Sequence, residues 1–324
     1  MNQRRSFIKN AALLSGALLL SKSSEVFAGD YYSKKKIKEV GLQLYTIRED
    51  LTKNVQTSIT KVAEIGYRHV ETFYGYTKEN PSPKFWGLDV KDLKTLLEDH
   101  NLKTYSGHYQ LNDFLTRGNT DDSALKYQID LAATLGQDYL IVPIPPLGIW
   151  DSMQEADFQY MATQLNKAAE LCAKSKLKIG YHNHFWEFRT LADGRKGYDI
   201  LLSETDPKLV AFEMDLFWIQ KSGVNPDDYF KKYPKRFPMW HVKDMDKSNT
   251  AVITGGALDQ KKSMDILTGI SYAEVGTGHI NFSEIFEHKK QAGLKHIFVE
   301  QDVIKIDPFA SIKQSFDYVS QNLI

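Results

Sequence analysis

The sequence predicts a single-domain (β/α)8 TIM barrel, and three observations carry that prediction. Short β-rich runs alternate with amphipathic stretches from residue 38 to residue 324, the pattern of repeated strand–helix units. Ala63-Glu64-Ile65-Gly66 before Val70, Ala133-Thr134-Leu135-Gly136 before Leu140 and Gln291-Ala292-Gly293 before Ile297 are alike. Each sets glycine at a helix C-terminus, where a left-handed residue turns the chain into the next strand. After the first strand stands Gly41-Leu42-Gln43-Leu44-Tyr45 rather than a glycine-rich phosphate loop, which disfavours the runner-up, an open doubly wound sheet.

In chain order the expected strands are 40–46, 69–73, 103–109, 138–143, 178–184, 210–218, 238–245 and 296–302. Apolar residues recur at three- and four-residue spacing over 55–65, 90–99, 123–135, 158–173 and 309–323, which reads as helix. From Asp246 to His279 no helix is evident, and Thr254-Gly255-Gly256 and Gly276-Thr277-Gly278 punctuate the segment. A connection this long that follows a strand is expected over the catalytic mouth.

Forty-two per cent of residues are hydrophobic and 25% charged, which is ordinary for a globular chain. Lys and Arg number 41 and Asp and Glu 41, so no net charge draws the chain to nucleic acid or anionic lipid. The single cysteine, Cys172, lies in a helical pattern and reads as a small buried apolar residue. Residues 1–28 read as a signal peptide: Arg4-Arg5-Ser6-Phe7-Ile8-Lys9 is a twin-arginine pattern, Ala11 to Leu20 is apolar, and Val26-Phe27-Ala28 fits cleavage. The apolar run is too short to span a bilayer, so a retained anchor is the weaker reading. The expected destination is the periplasm, with the barrel over 38–324, no integral membrane association after cleavage, and a homo-oligomer compatible with the sequence.

Chemistry in a barrel of this kind is built at the C-terminal ends of the strands. There the sequence places Gln43, Tyr45 and Arg48, then Glu71, His108, His182-Asn183-His184 with Glu187, Glu213 and Asp215, His241, Lys243 and Asp244, and finally Glu300 and Asp302. A lone strand histidine is more often structural, but neighbouring strands that each offer His, Asp or Glu point to a metal. Nitrogen and oxygen donors without thiolate suit Mn²⁺, Mg²⁺, Co²⁺ or Zn²⁺.

Gly41-Leu42-Gln43-Leu44-Tyr45-Thr46-Ile47-Arg48, Tyr181-His182-Asn183-His184-Phe185-Trp186-Glu187-Phe188, Glu213-Met214-Asp215 and His241-Val242-Lys243-Asp244 together resemble the xylose isomerase-like barrel superfamily, and within it the sugar phosphate isomerases/epimerases. Gly276 to Phe282 and Val299-Glu300-Gln301-Asp302 fit the same group. The resemblance implies one divalent metal held by a Glu, an Asp, a His and a second Glu. Asp215, His241 and Glu300 match the last three. His182 stands where the first Glu aligns, so either Glu187 supplies that carboxylate or His182 is itself a ligand. Glu187 is preferred, because two histidines would make the site softer than the family norm.

The resemblance further implies a small carbohydrate substrate and an isomerase or epimerase that removes a proton next to a carbonyl and passes through a metal-stabilised enediolate. Glu300 is the first acid/base candidate, and Glu187 or His182 the second. Lys243 either neutralises an oxyanion or pairs with Asp244. Gln43, Tyr45, Glu71, His108, His184, Trp186 and Trp218 are the expected substrate-binding residues, although a buried polar network suits Glu71 better. If a leaving group stands beta to the carbonyl, the same enediolate expels it, and the enzyme is a lyase or dehydratase on a keto-inositol or 3-keto-glycoside. A non-catalytic carbohydrate-binding barrel has no need of the Asp215, His241, Glu300 set, and an endonuclease would need a basic face.

Overall fold

Eight parallel strands close on themselves in the order first, eighth, seventh, sixth, fifth, fourth, third, second. The computed structural model describes residues 37–74, 84–255 and 260–324. The twin-arginine signal and Gly256 lie outside the described residues, and Lys38–Ile324 forms one compact unit. The strands are Gly41–Gln43, His69–Tyr74, Lys103–Tyr109, Tyr139–Val142, Lys178–His182, Val210–Asp215, Met239–Val242 and His296–Val299. Helices Val55–Ile65, Val90–Asp99, Ser123–Leu135, Glu155–Lys174 and Pro308–Asn322 stand where the apolar spacing puts them. The junction glycines adopt positive φ, with 123° at Gly66, 78° at Gly136 and 83° at Gly293.

Several strands are shorter than the sequence suggests, each for a local reason. The first ends at Gln43, whose side-chain oxygen accepts the Tyr45 N–H and starts the 3-10 turn Leu44–Ile47. The sixth ends at Asp215, which caps helix Leu216–Lys221. The segment expected to lack a helix between Asp246 and His279 contains helix Ser263–Thr268 and the short strand Tyr272–Ala273, which pairs antiparallel with Asp244–Met245. Asp244 pins this segment: its carboxylate accepts the N–H groups of Met245, Gly276, Gly278 and Ile280.

Side chains alternate between the helix layer and the barrel interior. Facing the helices, Leu42, Val70, Leu140, Ile179, Phe212, Trp240 and Ile297 are fully buried. Facing inward, Tyr139, Ile141, Ala211, Met239 and Phe298 pack into an apolar cluster. Two glycines make room for it by close approach. A Cβ on Gly41 would lie 2.7 Å from Phe298 Cδ1 and closer still to the His69 ring, and one on Gly180 would lie 2.5 Å from Ile141 Cδ1. Two residues further along the strands of Gly41, Gly180, Ala211, Met239 and Phe298, the interior turns polar.

Candidate metal centre

That step of two residues carries Gly41 to Gln43, His69 to Glu71, Gly180 to His182, Ala211 to Glu213, Met239 to His241 and Phe298 to Glu300. His108 joins from the third strand, and all of these side chains are buried. Glu71 Oε2 accepts Gln43 Nε2 at 2.7 Å and His241 Nε2 at 2.7 Å, and lies 3.2 Å from His108 Nε2. Glu213 Oε2 lies 2.8 Å from His108 Nε2, 3.0 Å from His182 Nδ1 and 3.2 Å from His241 Nε2.

One step higher stand Asp215, Lys243 and Asp302. Asp215 Oδ1 accepts the N–H groups of Phe217 and Trp218 at 2.8 and 2.9 Å, as a helix cap does. Its Oδ2 has no hydrogen-bond partner; it faces Lys243 Nζ at 3.1 Å and His182 Nε2 at 3.7 Å. Glu300 Oε2 lies 2.8 Å from His241 Nδ1 and 2.6 Å from Lys243 Nζ. Lys243 also reaches Asp302 at 2.9 Å. It therefore pairs with Asp215, Glu300 and Asp302, and not with Asp244 as the sequence allowed.

Donor atoms of His182, Asp215, His241 and Glu300 lie within 4.8 Å of one another, and so do those of His108, His182, Glu213 and His241. Glu187 belongs to neither group. Its carboxylate accepts the Tyr181 hydroxyl at 2.6 Å and the His184 N–H at 2.9 Å, so the residue expected to supply the first carboxylate ligand is turned into the wall. Of the two alternatives left open at that position, His182 is the one whose ring reaches the cluster.

The electrostatics favour a cation. The carboxylates of Glu71, Glu213, Asp215, Glu300 and Asp302 converge on Lys243 and on His108, so formal negative charge exceeds fixed positive charge in a buried space. Leaving such charge uncompensated in the interior is costly. Burial alone would lower the His108 pKa, but Glu71 and Glu213 override it and raise it to about 9. Burial likewise opposes protonation of His241, yet Glu213 and Glu300 hold its pKa well above the ordinary value. Burial, followed by the neighbouring His241, drives the His182 pKa well down, so its ring is neutral and able to donate a lone pair. A buried, oxygen- and nitrogen-rich group with an excess of negative charge fits a divalent ion of the Zn²⁺, Mn²⁺, Co²⁺ or Mg²⁺ kind. Cys172 takes no part; it is buried in helix Glu155–Lys174, and burial pushes its thiol up to about 12.

The remaining expected residues form the walls. Glu71 and Gln43 are fully enclosed beneath the cluster. Tyr45 is 37% exposed, meets Phe73 edge-on at 5.3 Å and carries the Arg48 guanidinium over its ring. His184 is half-buried between Trp186 and Trp218, at 4.8 and 5.2 Å. Both tryptophans are buried in the wall, Trp186 stacking on Trp150 and donating its indole N–H to Ser263. Ser263 lies on the helix of the long connection, and Tyr272 from the same connection stands 5.9 Å from Lys243 Nζ. The connection thus reaches the site. Sequence reasoning named Glu213 and Asp302 among the strand-end carboxylates without assigning either a role, and did not single out Tyr272 or Trp150. Glu213 had a signal, since residues two apart on a strand share a face and Asp215 was already singled out.

Comparison with known proteins agrees with this architecture. The family described as Xylose isomerase-like TIM barrel matches residues 59–319. The chain is 26% identical over 286 residues to an inosose dehydratase of Clostridium botulinum, covering 82% of this chain and 89% of that protein. A sugar phosphate isomerase/epimerase structure from Parabacteroides distasonis superposes with a TM-score of 0.72 at 25% identity, covering 90% of this chain and 97% of that one. A protein named IOLI, solved with a zinc atom, shares the fold at 14% identity with a TM-score of 0.65, covering 88% of this chain and 99% of that one. With a match that spans most of the barrel, the chain belongs to the xylose isomerase-like TIM barrel family.

Proposed function

We propose that this chain is a metal-dependent enzyme that removes a proton next to a carbonyl of a small sugar-like substrate. The observation that carries the reading is the group of His182, Asp215, His241 and Glu300, buried and offering donor atoms within 4.8 Å of one another at the C-terminal mouth of the barrel. These four residues would hold the ion. Bound there, a divalent ion supplies Lewis-acid polarisation of a carbonyl oxygen.

The chain's own groups handle the protons. Burial opposes ionisation of Glu300, but Lys243 and His241 hold its carboxyl well below the ordinary range. In that state Glu300 is a weak base. When Lys243 Nζ donates to a substrate oxygen instead of to Glu300, the hold on Glu300 relaxes, and the carboxylate takes the carbon-bound proton. Returning that proton to the former carbonyl carbon, while the neighbouring hydroxyl passes its proton to the former carbonyl oxygen, completes an isomerisation; returning a proton to the same carbon from the opposite face completes an epimerisation. His184, Tyr45 and Phe73 would face the substrate, and the Trp186–Ser263 hydrogen bond ties the long connection to one wall.

A second reading is favoured by the inosose dehydratase relatives. After the same proton abstraction, a hydroxyl beta to the carbonyl leaves with a proton as water, and Lys243 or Tyr272 stands near enough to the site to donate it. The test is incubation in D₂O with keto-sugars and keto-inositols. Deuterium gain with mass otherwise unchanged marks isomerisation, and loss of 18 mass units marks dehydration. Failure of metal-loaded enzyme to exchange or eliminate with every member of such a panel would favour a carbohydrate-binding barrel instead.

We also propose export through the twin-arginine route, resting on Arg4-Arg5 and the apolar run that follows. Among the described residues no helix is long and apolar enough to cross a membrane. Changing both arginines to lysine is expected to keep the protein in the cytoplasm; undiminished export of that variant would overturn the proposal.

A further inference from the structure

Beneath the outer group, two fully buried carboxylates face histidine rings rather than solvent. Glu213 Oε2 meets His182 at Nδ1, 3.0 Å away, while the Nε2 of the same ring points to Asp215 Oδ2. Glu71 Oε2 meets His241 at Nε2, 2.7 Å away, while the Nδ1 of that ring points to Glu300. His108 Nε2 bridges the two carboxylates at 3.2 and 2.8 Å.

A neutral imidazole has one N–H and one lone pair, and an ionised carboxylate only accepts. In His182 the Nδ1 that faces the buried Glu213 must therefore carry the hydrogen, which leaves the lone pair on the Nε2 that faces Asp215. We infer that Glu213 is a positioning residue that fixes His182 as a donor through Nε2, with His108 tying Glu213 to Glu71. This inference rests on the metal reading above and adds what selects the ligand atom of His182.

The test uses the full chain and Co²⁺ alone. Affinity is read by chelator competition, stoichiometry and coordination by visible absorption, and the His182 tautomer of metal-free protein by imidazole nitrogen NMR. Glu213→Leu is expected to weaken Co²⁺ binding by about 10–100-fold with stoichiometry unchanged, the range typical for loss of a group that orients a ligand. The His182 tautomer should then shift from Nδ1–H towards Nε2–H. Glu213→Gln, which keeps the volume and an acceptor oxygen, is expected to lose about tenfold, the lower end of that range. Should the leucine variant fail to fold, the glutamine variant decides: unchanged affinity overturns the inference. A purely structural role would lower the melting temperature of metal-free protein and leave the tautomer and the affinity of the folded fraction alone, which also overturns it. If binding is abolished in Glu213→Leu and in His108→Ala but survives in Asp215→Ala, the inner group holds the ion itself and the positioning role is wrong. Should wild type bind no Co²⁺, the metal reading fails, and the His182 tautomer alone decides between positioning and its absence.

Discussion

Two layers of the same barrel interior, one residue pair apart on the same strands, differ in almost every property. The lower, with Tyr139, Ile141, Ala211, Met239 and Phe298, is an apolar cluster. The upper holds Gln43, Glu71, His108, His182, Glu213, His241 and Glu300, every one of them buried as well. Two residues of strand advance about 6–7 Å, so the change from packing to chemistry is abrupt. The lower layer stabilises by excluding water and filling space, and it tolerates no gap. The upper layer concentrates charge in mutual contacts, and any part of it left unpaired in the interior is costly. A rigid apolar floor is what allows the ring nitrogens and carboxylates above it to keep their places.

The comparison can be broken first at the upper layer. Glu300→Gln keeps the volume and removes the carboxylate, and proton exchange is expected to fall by about 10²–10⁴-fold with the melting temperature little changed. Metal content must be measured on the same sample, since loss of the ion would mimic loss of the base. Exchange that persists undiminished in a metal-loaded variant removes Glu300 from the chemistry.

Breaking the lower layer should do the reverse. Phe298→Ala opens a cavity beneath the site and is expected to cost about 3–5 kcal/mol of stability, read by denaturant unfolding. Metal stoichiometry in the fraction that remains folded should hold. A variant that keeps its stability but loses its metal would show that the two layers are not separable in this way.

Glu187 sharpens the contrast between a buried carboxylate in the wall and those in the cluster. Burial raises its pKa to about 7, against the lowering effect of the Tyr181 hydroxyl. A carboxyl whose folded pKa is raised binds a proton more tightly in the native state. Its contribution is therefore fully present below the unfolded value near 4.5 and is lost as pH rises through about 7. Relative to Glu187→Gln, the wild type should lose about 3 kcal/mol across that window. A stability difference that stays flat with pH would show that burial does not raise the Glu187 pKa in the native protein.

The smallest effect concerns the space the floor leaves. Gly180→Ala would bring a Cβ within 2.5 Å of Ile141 Cδ1, and overpacking of this kind costs about 1–3 kcal/mol. Adding Ile141→Val should recover part of the loss, and a lack of coupling between the two changes would place the strain elsewhere.

Much of this architecture is legible in the amino-acid order. Strand and helix periods, the glycine junctions and the recurrence of His, Asp and Glu at strand ends specify the barrel and the end that carries the site, because backbone geometry converts spacing directly into direction. Alternation by itself even places Glu213 beside Asp215, and it separates Lys243 from Asp244, since neighbours on an extended chain point to opposite faces. Lys243 accordingly turns inward to Asp215, Glu300 and Asp302, while Asp244 binds the backbone of the long connection. What the order of residues cannot supply is which atoms meet across the barrel. On paper Glu187 is preferred to His182, and only the closure of the strands puts His182 against Glu213 and leaves Glu187 bonded to Tyr181. Ligand choice here depends on distances between residues far apart in the chain, and those are set by packing rather than by local preference.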